Sequence, residues 1–392
     1  MKDIVILAAT RTPIGNFQGG LAATPASRLG ATAIMGALVE AGVSPEHVTD
    51  VLMGNVLQAG QGQAPARQAA IYAGLPSSAR AVTIHKVCGS GLQAVMQSSQ
   101  MLATGMGEFV VAGGMENMSQ APYLLPKARD GYRIGHQQVI DSLIVDGLWD
   151  PYSDIHMGNC AEQCAAKYNF TREEQDAYAI ASFQRANAAQ KSGRFAAEIT
   201  PVEIKDRKGN VTRIELDEGP AKVNYDKVPQ LKPAFQKDGT ITPANASSIN
   251  DGAAALVLAP LEAAQRHNLK PIARVVAFGG HAQDPVWFTT APVQAAKHAL
   301  TSAGWQVADV DLWEVNEAFA VVPMAFMREM GVAHDKVNVD GGAISLGHPI
   351  GCSGARIIVT LIAALKARGL KRGVAAICIG GGEGLAACVE MV

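Results

Sequence analysis

The chain has 392 residues, 48% of them hydrophobic, with 33 Lys plus Arg against 35 Asp plus Glu for a formal net charge of −2. That length predicts two or three domains with more than one core. The balanced charge excludes a basic field able to hold a nucleic acid backbone or an anionic membrane, and leaves a small molecule as the expected substrate.

From the N-terminus, MKDIVILAATRTPIG enters a strand-like run at once, with no charged leader, cleavage site or Arg-rich transit segment, so the expected compartment is the cytoplasm. LGATAIMGALVEAG and GARIIVTLIAALKARG are interrupted by Gly, Arg or Glu before they reach membrane-spanning length and read as core or amphipathic helices. Residues 38–56, LVEAGVSPEHVTDVLMGNV, give a helix end, an Ala-Gly stop, a strand and Asn55. Residues 300–317, LTSAGWQVADVDLWEVNE, repeat that order and end on Asn316. Residues 88–116 and 351–384 repeat in the same way: Ser-Gly at a helix start, an amphipathic helix, a Gly stop, a short apolar strand and a glycine cluster.

Strands such as DIVILAA, EFVVAGG, ARVVAFG and VAAICIGG are continuously apolar, as expected for a mainly parallel sheet with both faces covered by helices. Two similar α/β halves stacked in layers therefore form the predicted architecture. The predicted division is an N-terminal α/β domain over 1–119 and 250–270, an inserted lobe over 120–249, and a C-terminal α/β domain over 271–392. The lobe is crowded with charge, Pro and Gly around one helical pair, and Thr171 with Glu174 is a capping-box start for the second helix of that pair.

The six cysteines are few for the length, and a disulfide framework is not expected. Cys160 and Cys164 share a helix face without the His or Cys cluster that would complete a metal site, and read as buried helix thiols.

Cys88, in HKVCGSGLQ, falls between an apolar run and a helix. A helix N-terminus favours thiolate, and Gly89 and Gly91 are expected to let the backbone turn sharply and leave room for a ligand. His348, in GGAISLGHPIGCSGAR, occupies the matching loop of the second half, so pseudo-symmetry brings a nucleophile and a base together. Cys378 ends a buried strand and opens the run GGG; no helix follows to make this a dinucleotide fingerprint, and its free N–H groups suit a developing oxyanion. Asn316, at a strand end, offers an amide to a water or a substrate oxygen.

Together KVCGSG, NEAFA, GGAISLGHPIGCSGAR and CIGGGEG resemble the thiolase family, in particular its branch that handles acetoacetyl-CoA. VAGGMENMS, HMG, EQDAYAIAS and NASSINDGAAALVL extend the likeness over essentially the whole chain. The resemblance implies a duplicated, layered α/β/α/β/α thiolase-like fold with a loop domain inserted in the first half. It implies reversible Claisen condensation of two acetyl-CoA to acetoacetyl-CoA and CoA through an acetyl-cysteine. By position, Cys88 resembles the nucleophile, His348 its base and Cys378 the acid/base at the substrate α-carbon, with a pKa expected near working pH.

The same resemblance gives Asn316 a water at the enolate oxygen, and gives the N–H groups of Cys88 and Gly380 the tetrahedral oxyanion. Ser247 matches a contact to the pantetheine arm. His156, Met157, Ala318 and Phe319 match the acyl pocket, with Met157 and Phe319 keeping it short. No cofactor or metal beyond the coenzyme A thioester substrate is implied, and a homotetramer, a dimer of dimers, is. Departures are His85 where many relatives carry Asn, Cys352 where Ala or Met is common, and Pro220 near the place where some relatives bind potassium through a tyrosine. Rival readings are a broader 3-ketoacyl-CoA thiolase, a β-ketoacyl synthase, against which Cys378 argues, and a non-catalytic CoA or lipid carrier.

Overall fold

The computed structural model describes residues 3–206 and 208–392. Its main body is a ten-stranded sheet. In the first half lie β1 (Ile4–Arg11), β2 (Val48–Gly54), β3 (Arg80–Ile84), β4 (Phe109–Asn117) and β5 (Asn250–Pro260). In the second lie β6 (Ala273–Ala282), β7 (Leu312–Val315), β8 (Arg372–Ile379) and β9 (Glu383–Met391). Gly15–Asn16 adds a short strand beside β5.

The order β7-β8-β9-β6-β1-β5-β4-β2-β3 is the same sequence of connections written twice. β2 lies between β3 and β4, as β7 lies between β8 and an isolated bridge at Val337. β5 lies between β4 and β1, as β9 lies between β8 and β6. Even the irregularities match, since β1 bulges between Ile6 and Ala8 and β6 between Val275 and Ala277. The two halves join where β1 meets β6, Val5 opposite Arg274 and Ile6 opposite Ala273.

The mainly parallel sheet expected from the apolar strands is instead mixed, because β5 and β9 run antiparallel to both neighbours. The cause is local. Only Gly380–Gly382 separate β8 from β9, too few residues for a parallel crossover, so the chain can only turn back as a hairpin. In the first half the segment from Met118 to Ile249 occupies the same place between β4 and β5. An insertion at a hairpin tip leaves the sheet register intact, and among the described residues none of the short strands within this segment pairs with the main sheet.

Alternate strand residues feed different cores. Ile4, Ile6, Leu52, Ile377 and Ile379 face a central cluster, with Leu92 of α2 (Ser90–Ala103) and, in the second half, Ile357 and Ile358 of the helix Ser353–Arg368. Val5, Leu7, Val51 and Met53 face α1 (Ala26–Ala41) on one outer side. Val374, Ala376 and Cys378 face the helix Ala291–Ala303 on the other. Helix, one half of the sheet, paired central helices, the other half of the sheet and helix therefore stack in five layers. The central helix Ser353–Arg368 is buried at every position from Ser353 to Ile362, which explains the apolar run from Ile357 to Val359 and on through Leu361 and Ile362.

Within the insertion, α3 (Met157–Tyr168) and α4 (Arg172–Lys191) follow each other. The Thr171 hydroxyl accepts from Glu174 N at 3.2 Å and the Glu174 carboxylate accepts from Thr171 N at 2.9 Å, the reciprocal cap read from sequence. Cys160 and Cys164 are fully buried on α3.

Candidate active site

Loops far apart in sequence converge on one cavity of about 280 Å³. Cys88, His348, Gly380, Ser247, His156, Met157, Ala318 and Phe319 all line it. Asn316 and Cys378 are fully buried and do not line it. Cys378 nevertheless lies within electrostatic reach of Cys88.

The nucleophile loop runs from the end of β3 at Ile84 to Ser90. The sharp turn falls on Val87, with φ of 44°, and not on the glycines. Gly89 has an ordinary φ of −81°. A Cβ on Gly89 would come within 2.4 Å of Ile379, and one on Gly91 within 2.6 Å of Ala355 N, so both are small because the second half packs against them, rather than for turning or ligand room.

Burial pushes the Cys88 thiol up to about 11, outweighing the opposite pull of the backbone N–H groups of Gly380 and of Cys88 itself. Burial, then the neighbouring Cys88, raises the Cys378 thiol well above its usual range. The expected thiolate at the helix N-terminus and the expected near-neutral Cys378 are both overturned by desolvation. Both sulfurs rest as thiols.

His348 sits in the loop before the helix Ser353–Arg368, and its N–H donates to Asn250 Oδ1 at 3.0 Å. Its Nδ1 lies 2.6 Å from Ser353 Oγ, whose own proton goes to Pro349 O at 2.9 Å. The serine can then only accept, which places the imidazole proton on Nδ1 and leaves Nε2 as a lone-pair base. Nε2 has no protein partner among the described residues. Burial and the positive charge of Arg356 lower the His348 pKa from 6.5 to about 3.

Asn316 shows why repetition alone does not make a site. Its counterpart Asn55 spends its amide nitrogen structurally, donating to Glu116 Oε1 at 2.8 Å and Met115 O at 3.2 Å, and only its Oδ1 lacks a partner among the described residues. Asn316 is equally buried, yet both atoms of its amide are without a partner among the described residues. A buried amide without a protein partner is left to bond a water or a substrate oxygen.

The cavity wall is apolar. His156 caps α3, its Nδ1 accepting from Gly158 N at 3.0 Å, and stacks on Phe235 at 4.8 Å. Phe235 and Phe288 meet Phe319 edge-on at 6.1 and 6.4 Å. Ser247 donates its hydroxyl to Ala318 O at 3.0 Å. Phe235, Phe288, Ser353 and Asn250 were not singled out in the sequence. Only the Ser-Gly repeat could have marked Ser353.

Ser248 joins this cavity to an open groove of about 340 Å³ lined by Lys222, Lys227, Leu231 and Phe183. No helix among the described residues is long and apolar enough to cross a membrane.

The family profile described as "Thiolase, N-terminal domain" matches residues 4–262, and "Thiolase, C-terminal domain" matches 269–391. An acetyl-CoA acetyltransferase of Cupriavidus necator is 51% identical over 391 residues, covering 100% of both chains. The crystal structure of the Bacillus anthracis acetyl-CoA acetyltransferase superposes with a TM-score of 0.97 at 41% identity, over 100% of this chain and 99% of that one. Acat5 thiolase from Ascaris suum, solved in complex with coenzyme A, gives 0.94 at 44% identity over 100% of both.

Proposed function

The chain belongs to the thiolase family, and from that premise we propose that it is an acetyl-CoA C-acetyltransferase, joining two acetyl-CoA into acetoacetyl-CoA and CoA by a reversible, ping-pong Claisen condensation. The observation that carries this reading is the meeting of Cys88, His348 and the Gly380 turn at one short apolar cavity, with Cys378 buried within electrostatic reach of Cys88.

Cys88 Sγ attacks the thioester carbonyl of the first acetyl-CoA while its proton passes to His348 Nε2. The N–H groups of Cys88 and Gly380, which both favour the thiolate form of that sulfur, suit the tetrahedral oxyanion. Cys378 gives its proton to the departing CoA sulfur and so becomes a thiolate. Because its environment holds the thiol pKa high, that thiolate is a strong base for the methyl of the second acetyl-CoA.

The enolate oxygen is served by the imidazolium Nε2–H and by a water held on the Asn316 amide, each such donor being worth roughly 3 to 4 kcal/mol in a preorganised site. Carbon attack on the acetyl group expels Cys88, which recovers the proton from His348. Protons balance over the cycle, and each thiol returns to its resting state.

For the coenzyme, the groove with Lys222 and Lys227 suits a phosphate-bearing tail, and Ser247 and Ser248 lie where the pantetheine arm would pass. The walls of Met157, Phe235, Phe288 and Phe319 leave a pocket of short-chain size. Thiolysis rates across 3-ketoacyl-CoAs of increasing length test the reading. The expected result is highest kcat/KM for acetoacetyl-CoA, with a fall of about tenfold or more on adding two methylenes. A flat or rising series would favour a broad 3-ketoacyl-CoA thiolase instead.

A further inference from the structure

Val87 is a β-branched residue held at φ 44°, a backbone region such side chains strongly disfavour, immediately before Cys88. Something in the surroundings must hold it there. The first residue of α2 does so from two directions. Ser90 Oγ donates to Val87 O at 2.7 Å and accepts from Lys86 N at 2.8 Å, spanning the strained peptide. Ser90 is fully buried, and its own N–H also reaches Val87 O at 3.1 Å.

The second half repeats the device. Ser353 opens the equivalent helix and uses its hydroxyl on Pro349 O and His348 Nδ1. Each half thus places a serine at the start of a central helix and turns it back on the preceding loop, one loop bearing the sulfur and the other the imidazole.

We propose that Ser90 is a positioning residue for acyl transfer, whose hydroxyl clamps the strained Val87 peptide and so holds Cys88 Sγ against the N–H of Gly380. The proposal deepens the reading of Cys88 as nucleophile and rests on it. Without the hydroxyl, Val87 relaxes toward negative φ and the sulfur leaves the position in which the oxyanion donors serve it.

The test is a double-variant cycle on the full-length protein, reading the single-turnover rate of acetyl transfer from acetyl-CoA to Cys88, with thermal melting alongside. Ser90→Ala is expected to slow transfer about tenfold or more, the scale of releasing one strained backbone conformation. Glycine adopts positive φ freely, so in a Val87→Gly background loss of the Ser90 hydroxyl should cost no more than about twofold. Equal fold-losses in the two backgrounds, or no loss in Ser90→Ala alone, would overturn the clamp.

Should Ser90→Ala fail to fold, the same comparison is made on folding. Restoration by Val87→Gly supports strain release, and continued failure overturns it. Absence of any acetyl transfer in the unaltered protein would instead sink the nucleophile assignment, and the two failures are distinguished in one experiment.

Discussion

At the level of single side chains, burial sets the protonation states from which the chemistry starts. The His348 pKa falls to about 3 in the folded chain from an ordinary 6.5, through desolvation first and Arg356 second. Folded therefore lies below unfolded. The unfolded chain takes up a proton between those two values, so this group withdraws stability as pH drops from about 6.5 toward 3, and all of its contribution is present above 6.5. The imidazole remains a neutral base throughout the physiological range. The prediction is that kcat/KM for acetyl transfer, measured from pH 5 to 8, shows no acid limb with a midpoint near 6.5. Such a limb would contradict the environment assigned to this histidine. His348→Ala should lower the rate by about 10²- to 10⁴-fold, the span for losing a positioned base.

Among elements, the decisive contact is the crossing of α2 with the helix Ser353–Arg368. A Cβ on Gly91 would meet Ala355 N at 2.6 Å, and a Cβ on Gly354 would meet Leu92 N at 2.4 Å, so the helices touch backbone to backbone through one small residue each. Since the loops bearing Cys88 and His348 precede those same helices, their separation fixes the distance between nucleophile and base. Gly91→Ala is expected to destabilise the fold by about 1–3 kcal/mol through overpacking against main chain that cannot yield. It should also slow acetyl transfer. Chemical denaturation with activity assays checks both, and an unchanged midpoint would refute the close crossing. The Ser-Gly pairs were visible in the sequence as repeats, but their use was not. Spacing cannot distinguish a glycine that frees a turn from one that admits a neighbouring backbone, and Val87, the residue that turns, carries the least turn-like side chain of its loop.

For the molecule as a whole, duplication made the fold readable. Matched segments at 38–56 and 300–317 gave the layers and placed Asn316 at a strand end, and the Thr171 cap gave the start of α4. The sense of β5 and β9 was not readable, because continuous apolarity reports burial and not direction. Ionisation at the site was missed for a related reason: helix-terminus and neighbour effects are local in sequence, whereas desolvation of Cys88 and Cys378 comes from both halves closing over them. Phe235 and Phe288 reach the cavity from segments with no chemical signature.

Convergence of the two halves on a single acyl-carrying sulfur is the claim on which the rest depends. It is tested most directly by incubating the protein with acetyl-CoA, quenching in acid, and locating the added acetyl group by peptide mass spectrometry. The account predicts one acetyl group, on Cys88, lost on addition of CoA. An unmodified Cys88, or acetyl carried by Cys378 or another residue, would contradict it.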